Sequence, residues 1–249
     1  MDPPRDDPQR WVSMENYLRA MPTMLPTRPS ALVVISAHWE QPVPTVLNAA
    51  APGLFYDYSG FPPHTYRLAY PAPGAPALGD RVRALLQDAG IASGADSTRD
   101  YDHGVFVPLK VSFPDADIPI LQLSLQDGLD PARHIAIGRA LAPLRDDNIL
   151  IIGSGLSFHN LPALADPRAI APAAAFDAWL VETLCAAAPK ERERRLAQWS
   201  DAPGARESHP EAEHLLPLMV AAGAGLDGNG VHAYSGTIFG KAVSAFHFQ

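Results

Sequence analysis

Five apolar residues, Ala31-Leu-Val-Val-Ile35, run without a break and stop at Ser36-Ala-His-Trp39. A short continuous apolar run is the pattern of a strand buried on both faces. In open α/β sheets, ligands bind just beyond the carboxyl ends of such strands. His38 is therefore expected at the mouth of a site, carried on a rigid support. Imidazole is the commonest metal ligand among side chains. Taken alone, a core histidine bonded to a backbone carbonyl accounts for His38 more simply.

The remainder of the chain alternates strands and helices. Helical spacing predicts helices from Trp11 to about Leu25, from Pro76 to Ala89, from Pro131 to Leu144, in two segments over 171–199 broken near Pro189, and from Pro210 to about Ala222. Further strands are predicted at Val43–Leu47, 91–97, Ile118–Leu125, Asn148–Ile152 and, as a closing set, 231–248. The expected fold is α/β, a single domain over 1–249 with a central, mainly parallel sheet flanked by helices and C-terminal closing strands. Residues 48–74, rich in proline, glycine and aromatics, form a long irregular segment. Such a segment is either a binding lid or an Ω-loop packed on its own rings.

Composition excludes several classes. The net charge is −8, and the densest basic run, Lys190-Glu-Arg-Glu-Arg-Arg195, is interleaved with acids. It reads as a solvated helix face, so neither nucleic acid nor an anionic membrane surface is an expected partner. A single cysteine, Cys185, rules out an intramolecular disulfide and any cysteine-based zinc site, and favours a cytoplasmic location. No run of 18 apolar residues is present, and the start, Met1-Asp-Pro-Pro-Arg-Asp-Asp-Pro8, is polar and acidic, unlike a signal peptide. A homo-oligomer is compatible with all of this.

Four of the nine histidines share a context, each at the edge of an apolar element beside small or turn residues. They are His38 after a strand, His103 in Asp102-His-Gly104, His159 after a strand, and His214 at a helix start. Metal and acid/base sites place histidines this way, because the element fixes the ring while its end stays open. Gly153-Ser-Gly-Leu-Ser157 is not a nucleophile elbow, and no phosphate-binding glycine loop follows a strand.

The motifs Ser36-Ala-His-Trp39, Tyr101-Asp-His-Gly104, Phe158-His-Asn-Leu161 and Glu213-His-Leu-Leu-Pro-Leu218 resemble those of the class III extradiol (LigB-type) aromatic ring-opening dioxygenases. The DOPA-dioxygenase-like branch is the nearest match. Gly60-Phe-Pro62, Tyr70-Pro-Ala-Pro-Gly74, Phe113-Pro-Asp-Ala-Asp-Ile-Pro119 and Gln122-Leu-Ser124 match that branch as well. The resemblance runs in consistent order from about residue 10 to the C-terminus. It implies a non-haem Fe(II) cofactor, with Zn as the alternative. It also implies a small catecholic substrate and dioxygen, and ring cleavage beside the diol. Carried over residue by residue, it makes His38 a metal ligand, and His214 or the adjacent Glu213 a second. His159 becomes the active-site base that also touches the metal, and His103 a second acid/base histidine. Asp102 is either an orienting group for His103 or a loop cap. His64 is a lesser candidate for substrate contact, and His134, His232 and His247 are structural.

Members of this family begin with a buried strand ending in a His-Gly-Ser-Pro or His-Gly-Gly-Gly-Pro type loop, whose histidine binds the metal. No histidine precedes His38 here. Relative to the family, the chain is thus expected to lack that strand and that ligand. A start codon set too far downstream is the preferred account; loss of the metal site is the other. The alternative function is accordingly a metal-free, Memo-like binding or scaffold protein, and a Zn hydrolase on the same ligands ranks third.

Overall fold

Leu32 through Ile35 have no exposed surface, as an uninterrupted apolar strand requires. They belong to β1 (Ala31–Gln41), which lies between β4 (Ile120–Gln126) and β5 (Ile149–Ser154) and is parallel to both. The sheet is completed by β2 (Thr45–Leu47), antiparallel to β4, and β3 (Gly94–Asp96), parallel to β2. The strand order is β3-β2-β4-β1-β5. These features come from a computed structural model that describes residues 7–225 and 228–248. Residues 1–6 of the acidic N-terminal stretch lie outside the described residues.

The fold is α/β, with a mostly parallel central sheet, accompanying helices and a C-terminal antiparallel strand pair, as the sequence pattern predicts. The chain divides into two compact units. One comprises Leu18–Gly128 and Ala140–Ser154, and holds the whole five-stranded sheet. The other comprises Met1–Tyr17, Leu129–Arg139 and Gly155–Gln249.

In the sheet unit, Leu32 and Val34 of β1 point to one face. There they join Tyr101, and Phe106 and Leu109 of α3 (His103–Ser112), in a buried cluster. Helix α2 (Pro76–Asp88) follows the irregular segment, with proline in its first turn where a missing N–H costs nothing. The irregular segment itself contains one 3-10 turn, Pro63–Arg67. It is tied down by its own tyrosines: Tyr56 donates to the Leu68 carbonyl at 2.6 Å and Tyr58 to that of Thr65 at 2.7 Å.

Strand β1 differs from expectation in an instructive way. It does not stop at Ser36 but runs on to Gln41. Ile35 pairs with Leu123 and Glu40 with Leu125, so residues 36–39 of β1 face only residue 124 of β4. Extra residues on one strand form a bulge, which bends the strand and re-aims side chains. His38 sits in that bulge.

The second unit is mainly helical: α5 (Ile170–Cys185), α6 (Pro189–Ala197), the short α7 (Ala205–Ser208) and α8 (Leu216–Ala224), with the hairpin β6 (Gly230–Ile238) and β7 (Lys241–Phe248). The Lys190–Arg195 run is solvated only in part. Arg194 and Arg195 pair with Glu191 on the surface, but Arg192 is fully buried, with Nη1 donating to the Leu184 carbonyl at 3.3 Å. Cys185 ends α5 as a half-buried free thiol, pushed up by burial.

Helix α4 (Pro131–Leu141) meets α8 through two glycines. A Cβ on Gly138 would overlap the Val220 carbonyl, and one on Gly223 would overlap that of Ile135. In an isolated helix Gly138→Ala would stabilise by about 1 kcal/mol. Here the sign should reverse, because the added methyl forces the helices apart at a cost of about 1–3 kcal/mol. Urea denaturation of Gly138→Ala should show a lowered midpoint; an unchanged or raised one contradicts the close approach.

Candidate active site

The four motif histidines fall into two pairs, each joined by a carboxylate. In the sheet unit, His38 from the β1 bulge and His103 from the first turn of α3 bring their ring centroids to 4.0 Å. Asp57, from the irregular segment, completes the group. Its Oδ1 accepts from His103 Nδ1 at 2.8 Å and from the His103 backbone N–H at 3.0 Å, and its Oδ2 lies 4.0 Å from His38 Nδ1. Burial alone would raise the Asp57 carboxyl. The side-chain and backbone hydrogen bonds from His103 outweigh it and leave the group lowered.

The local sequence explains this placement. Gly104 follows His103, and a Cβ there would stand 2.5 Å from Ser36 Oγ and 3.0 Å from His38 Cδ2. Glycine lets the helix start press against the bulge. Behind the pair lies Asp102, fully buried, which accepts from Ser36 Oγ at 2.7 Å, from Arg99 Nη2 at 3.1 Å and from Gln122 Nε2. Arg99 also donates to the His38 carbonyl at 3.2 Å and lies over the Trp39 ring. Asp102 thus locks the backbone under both histidines, while Asp57 holds the His103 ring.

In the other unit, His159 and His214 stack with ring centroids 3.3 Å apart, and Glu213 Oε1 lies 3.3 Å from His159 Nδ1. His214 is not at a helix start. It sits in the turn before α8, where the N–H groups of Leu215 and Leu216 both bond to the Ala212 carbonyl. A Cβ on Gly155 would overlap the His214 carbonyl, which also accepts from the Leu156 N–H at 3.2 Å. The glycine of Gly153-Ser-Gly155 is therefore a close-approach residue. On the other side, the His159 N–H bonds to the Ser208 carbonyl at 3.0 Å, and His209 Nε2 donates to the Ser157 carbonyl at 3.0 Å.

Each group offers two imidazoles and one carboxylate, with one donor atom from each residue within 4.8 Å of the others. Such sets suit divalent iron or zinc. The remaining histidines stand elsewhere. His64 lies in the exposed 3-10 turn, His134 is buried with Nδ1 2.7 Å from the Asp130 carbonyl, His232 pairs with Ser244, and His247 with Tyr17. Asp57 and Arg99 escaped the sequence reading. The available signal was that Asp57 is the sole acidic residue between Glu40 and Asp80.

Two predictions follow from this geometry. Removing one partner of a buried charged network costs roughly 3–5 kcal/mol. Asp102→Ala should lose that much in denaturant titration; a loss below about 1 kcal/mol would contradict the network. His209 is buried, and burial pushes its pKa down to about 4, against the weaker opposing bond to Ser157. Its folded pKa lies below the unfolded value of about 6.5, so its stabilisation is complete above about 6.5 and drains away as pH falls toward 4. The loss amounts to about 3 kcal/mol. His209→Gln, which keeps a donor near Nε2, should flatten the fall in stability over that window.

Comparison with known proteins agrees with the geometry. The family model described as the catalytic LigB subunit of aromatic ring-opening dioxygenase matches residues 1–244. A Beta vulgaris protein named 4,5-DOPA dioxygenase extradiol is 43% identical over 202 residues, spanning 79% of this chain and 74% of that protein. The Hapsidospora irregularis dioxygenase tasH is 38% identical over 233 residues, spanning 89% and 72%. Among solved structures, the uncharacterized protein JW3007 from Escherichia coli K12 superposes with a TM-score of 0.77 at 30% identity, covering 93% of this chain and 91% of that one. Motifs, fold and relatives together place the chain in the LigB family of aromatic ring-opening dioxygenases.

Proposed function

We propose that the chain is an extradiol dioxygenase that opens the ring of a small catechol with dioxygen at a non-haem Fe(II) site, as a cytosolic enzyme. The observation that carries this reading is the gathering of the four motif histidines into two pairs, each with a carboxylate. The family match over 1–244 supports treating the chain as one catalytic domain. A divalent iron so ligated supplies a Lewis acid for the catechol hydroxyl and open positions for substrate and dioxygen.

The proposed ligands are His38, His159 and His214, with Glu213 the carboxylate alternative to His214. Imidazole donors from this chain suit Zn too, so metal identity rests on the chemistry: ring opening by dioxygen needs a metal that exchanges electrons. His159 and His103 are the proposed acid/base groups, because imidazole takes and returns a proton near neutral pH. His159 Nδ1 lies 3.3 Å from Glu213 Oε1, a contact that holds the ring in one orientation. His103 is edged by the Tyr58 ring at 5.6 Å. Tyr56, Tyr58, Phe61 and Tyr66 form a connected aromatic cluster beside it, and Phe61 is largely exposed. Those rings favour an aromatic substrate, with His64 nearby in sequence as a lesser contact.

The test is dioxygen uptake with a panel of catechols after anaerobic Fe(II) loading, read together with the yellow ring-opened product. Turnover should appear with at least one catechol. His38→Ala, His159→Ala and His214→Ala should each lower kcat/KM by at least about 100-fold. Catechol silence in protein shown to contain one iron per chain overturns the dioxygenase reading.

A further inference from the structure

Asp57 belongs to none of the histidine motifs, yet it hydrogen-bonds directly to one of their rings. It is mostly buried, its side chain 12% exposed, and it reaches His103 twice through one oxygen. The first contact is the His103 backbone N–H, one of the donors a helix start leaves without an internal partner. The second is the ring Nδ1. A carboxylate only accepts hydrogen bonds, so the ring nitrogen facing it carries the proton and Nε2 carries the lone pair. The ring is also boxed by His38 at 4.0 Å and by the edge of Tyr58 at 5.6 Å.

Asp102, the sequence neighbour of His103, does not do this. Its two oxygens are engaged by Ser36, Arg99 and Gln122. We propose that Asp57 is the positioning residue of His103: it holds the imidazole in the Nδ1–H tautomer and in one rotation, so that Nε2 is the atom that takes the substrate proton. This rests on the dioxygenase reading for the role of His103, but the pairing itself does not. The arrangement ties the acid/base group to the irregular aromatic segment, because Asp57 lies between Tyr56 and Tyr58, whose hydroxyls pin that segment to itself. A change in the segment's path would be felt at His103.

A rival role for Asp57 is metal ligation, since its carboxylate also lies near His38. The experiment must separate the two. Two-bond 1H–15N spectra of 15N-histidine-labelled protein report the tautomer of each ring, and the His103 signals are those missing from His103→Gln. Wild type should show His103 protonated at Nδ1. Asp57→Ala should lose that signature while binding the same amount of iron per chain. In turnover, Asp57→Ala should lower kcat by about 100- to 10,000-fold with little change in KM. Asp57→Asn keeps the size and an oxygen that can accept both hydrogen bonds, so it guards against simple unfolding; it should fold as wild type, keep the Nδ1–H signature and recover most of the kcat that Asp57→Ala loses. An Nδ1–H signature that survives in Asp57→Ala, or unchanged kcat, overturns the proposal. Loss of iron from Asp57→Ala overturns it in favour of ligation. If wild type turns over no catechol, the functional reading fails, while the tautomer spectra still decide the Asp57–His103 pairing.

Discussion

The sheet unit is held at its functional end by one fully buried carboxylate. Asp102 accepts hydrogen bonds from three separate segments: Ser36 in the bulge of β1, Gln122 in β4, and Arg99 in the loop before α3. A buried carboxylate is tolerated only when it is paired and hydrogen-bonded, and then it is highly directional. Apolar attraction among Leu, Ile and Val side chains is non-directional. The Asp102 network is not, because each donor has one place to go. It therefore sets where the bulge falls and how α3 starts, and so where His38 and His103 stand.

Much of the fold was legible because apolar periodicity reports burial directly. The run Ala31–Ile35 gave β1, Ile118–Leu125 anticipated β4 (Ile120–Gln126), and the helical spacing from Pro131 gave α4, which ends at Leu141 before a 3-10 turn. The errors occur where tertiary contacts override local pattern. Nothing in Ser36–Trp39 announces the bulge, in which four residues of β1 stand against one of β4. The apolar pattern from Pro210 suggests a helix through His214, yet Pro217 lies in the first turn of α8, a position proline favours, so the helix opens only at Leu216.

The site was legible by residue type but not by partnership. The histidines were found at the edges of apolar elements, where local sequence marks them. Their carboxylates divide. Glu213 is adjacent to His214 and was visible as such. Asp57 lies 46 residues from His103, inside a segment whose proline and aromatic content hid it. Asp102, adjacent to His103 and the obvious orienting candidate, instead faces the sheet. Adjacent residues at a helix start point in different directions, so sequence proximity was the wrong guide.

The pairing of imidazoles also has an electrostatic consequence. Rings with centroids 3.3 Å apart, as for His159 and His214, would repel strongly if both were protonated. The carboxylate of Glu213 beside them favours positive charge, but it can compensate only one unit of it. Two imidazoles and a carboxylate this close together make a donor set that one divalent cation could satisfy. The same reasoning applies to His38 and His103 around Asp57, with one difference. There the carboxylate is committed to His103 Nδ1 at 2.8 Å and stands off from His38 at 4.0 Å. That asymmetry ties the carboxylate to the His103 ring and leaves its contact with His38 the longer of the two. A single carboxylate oxygen thus makes two neighbouring histidines chemically unequal.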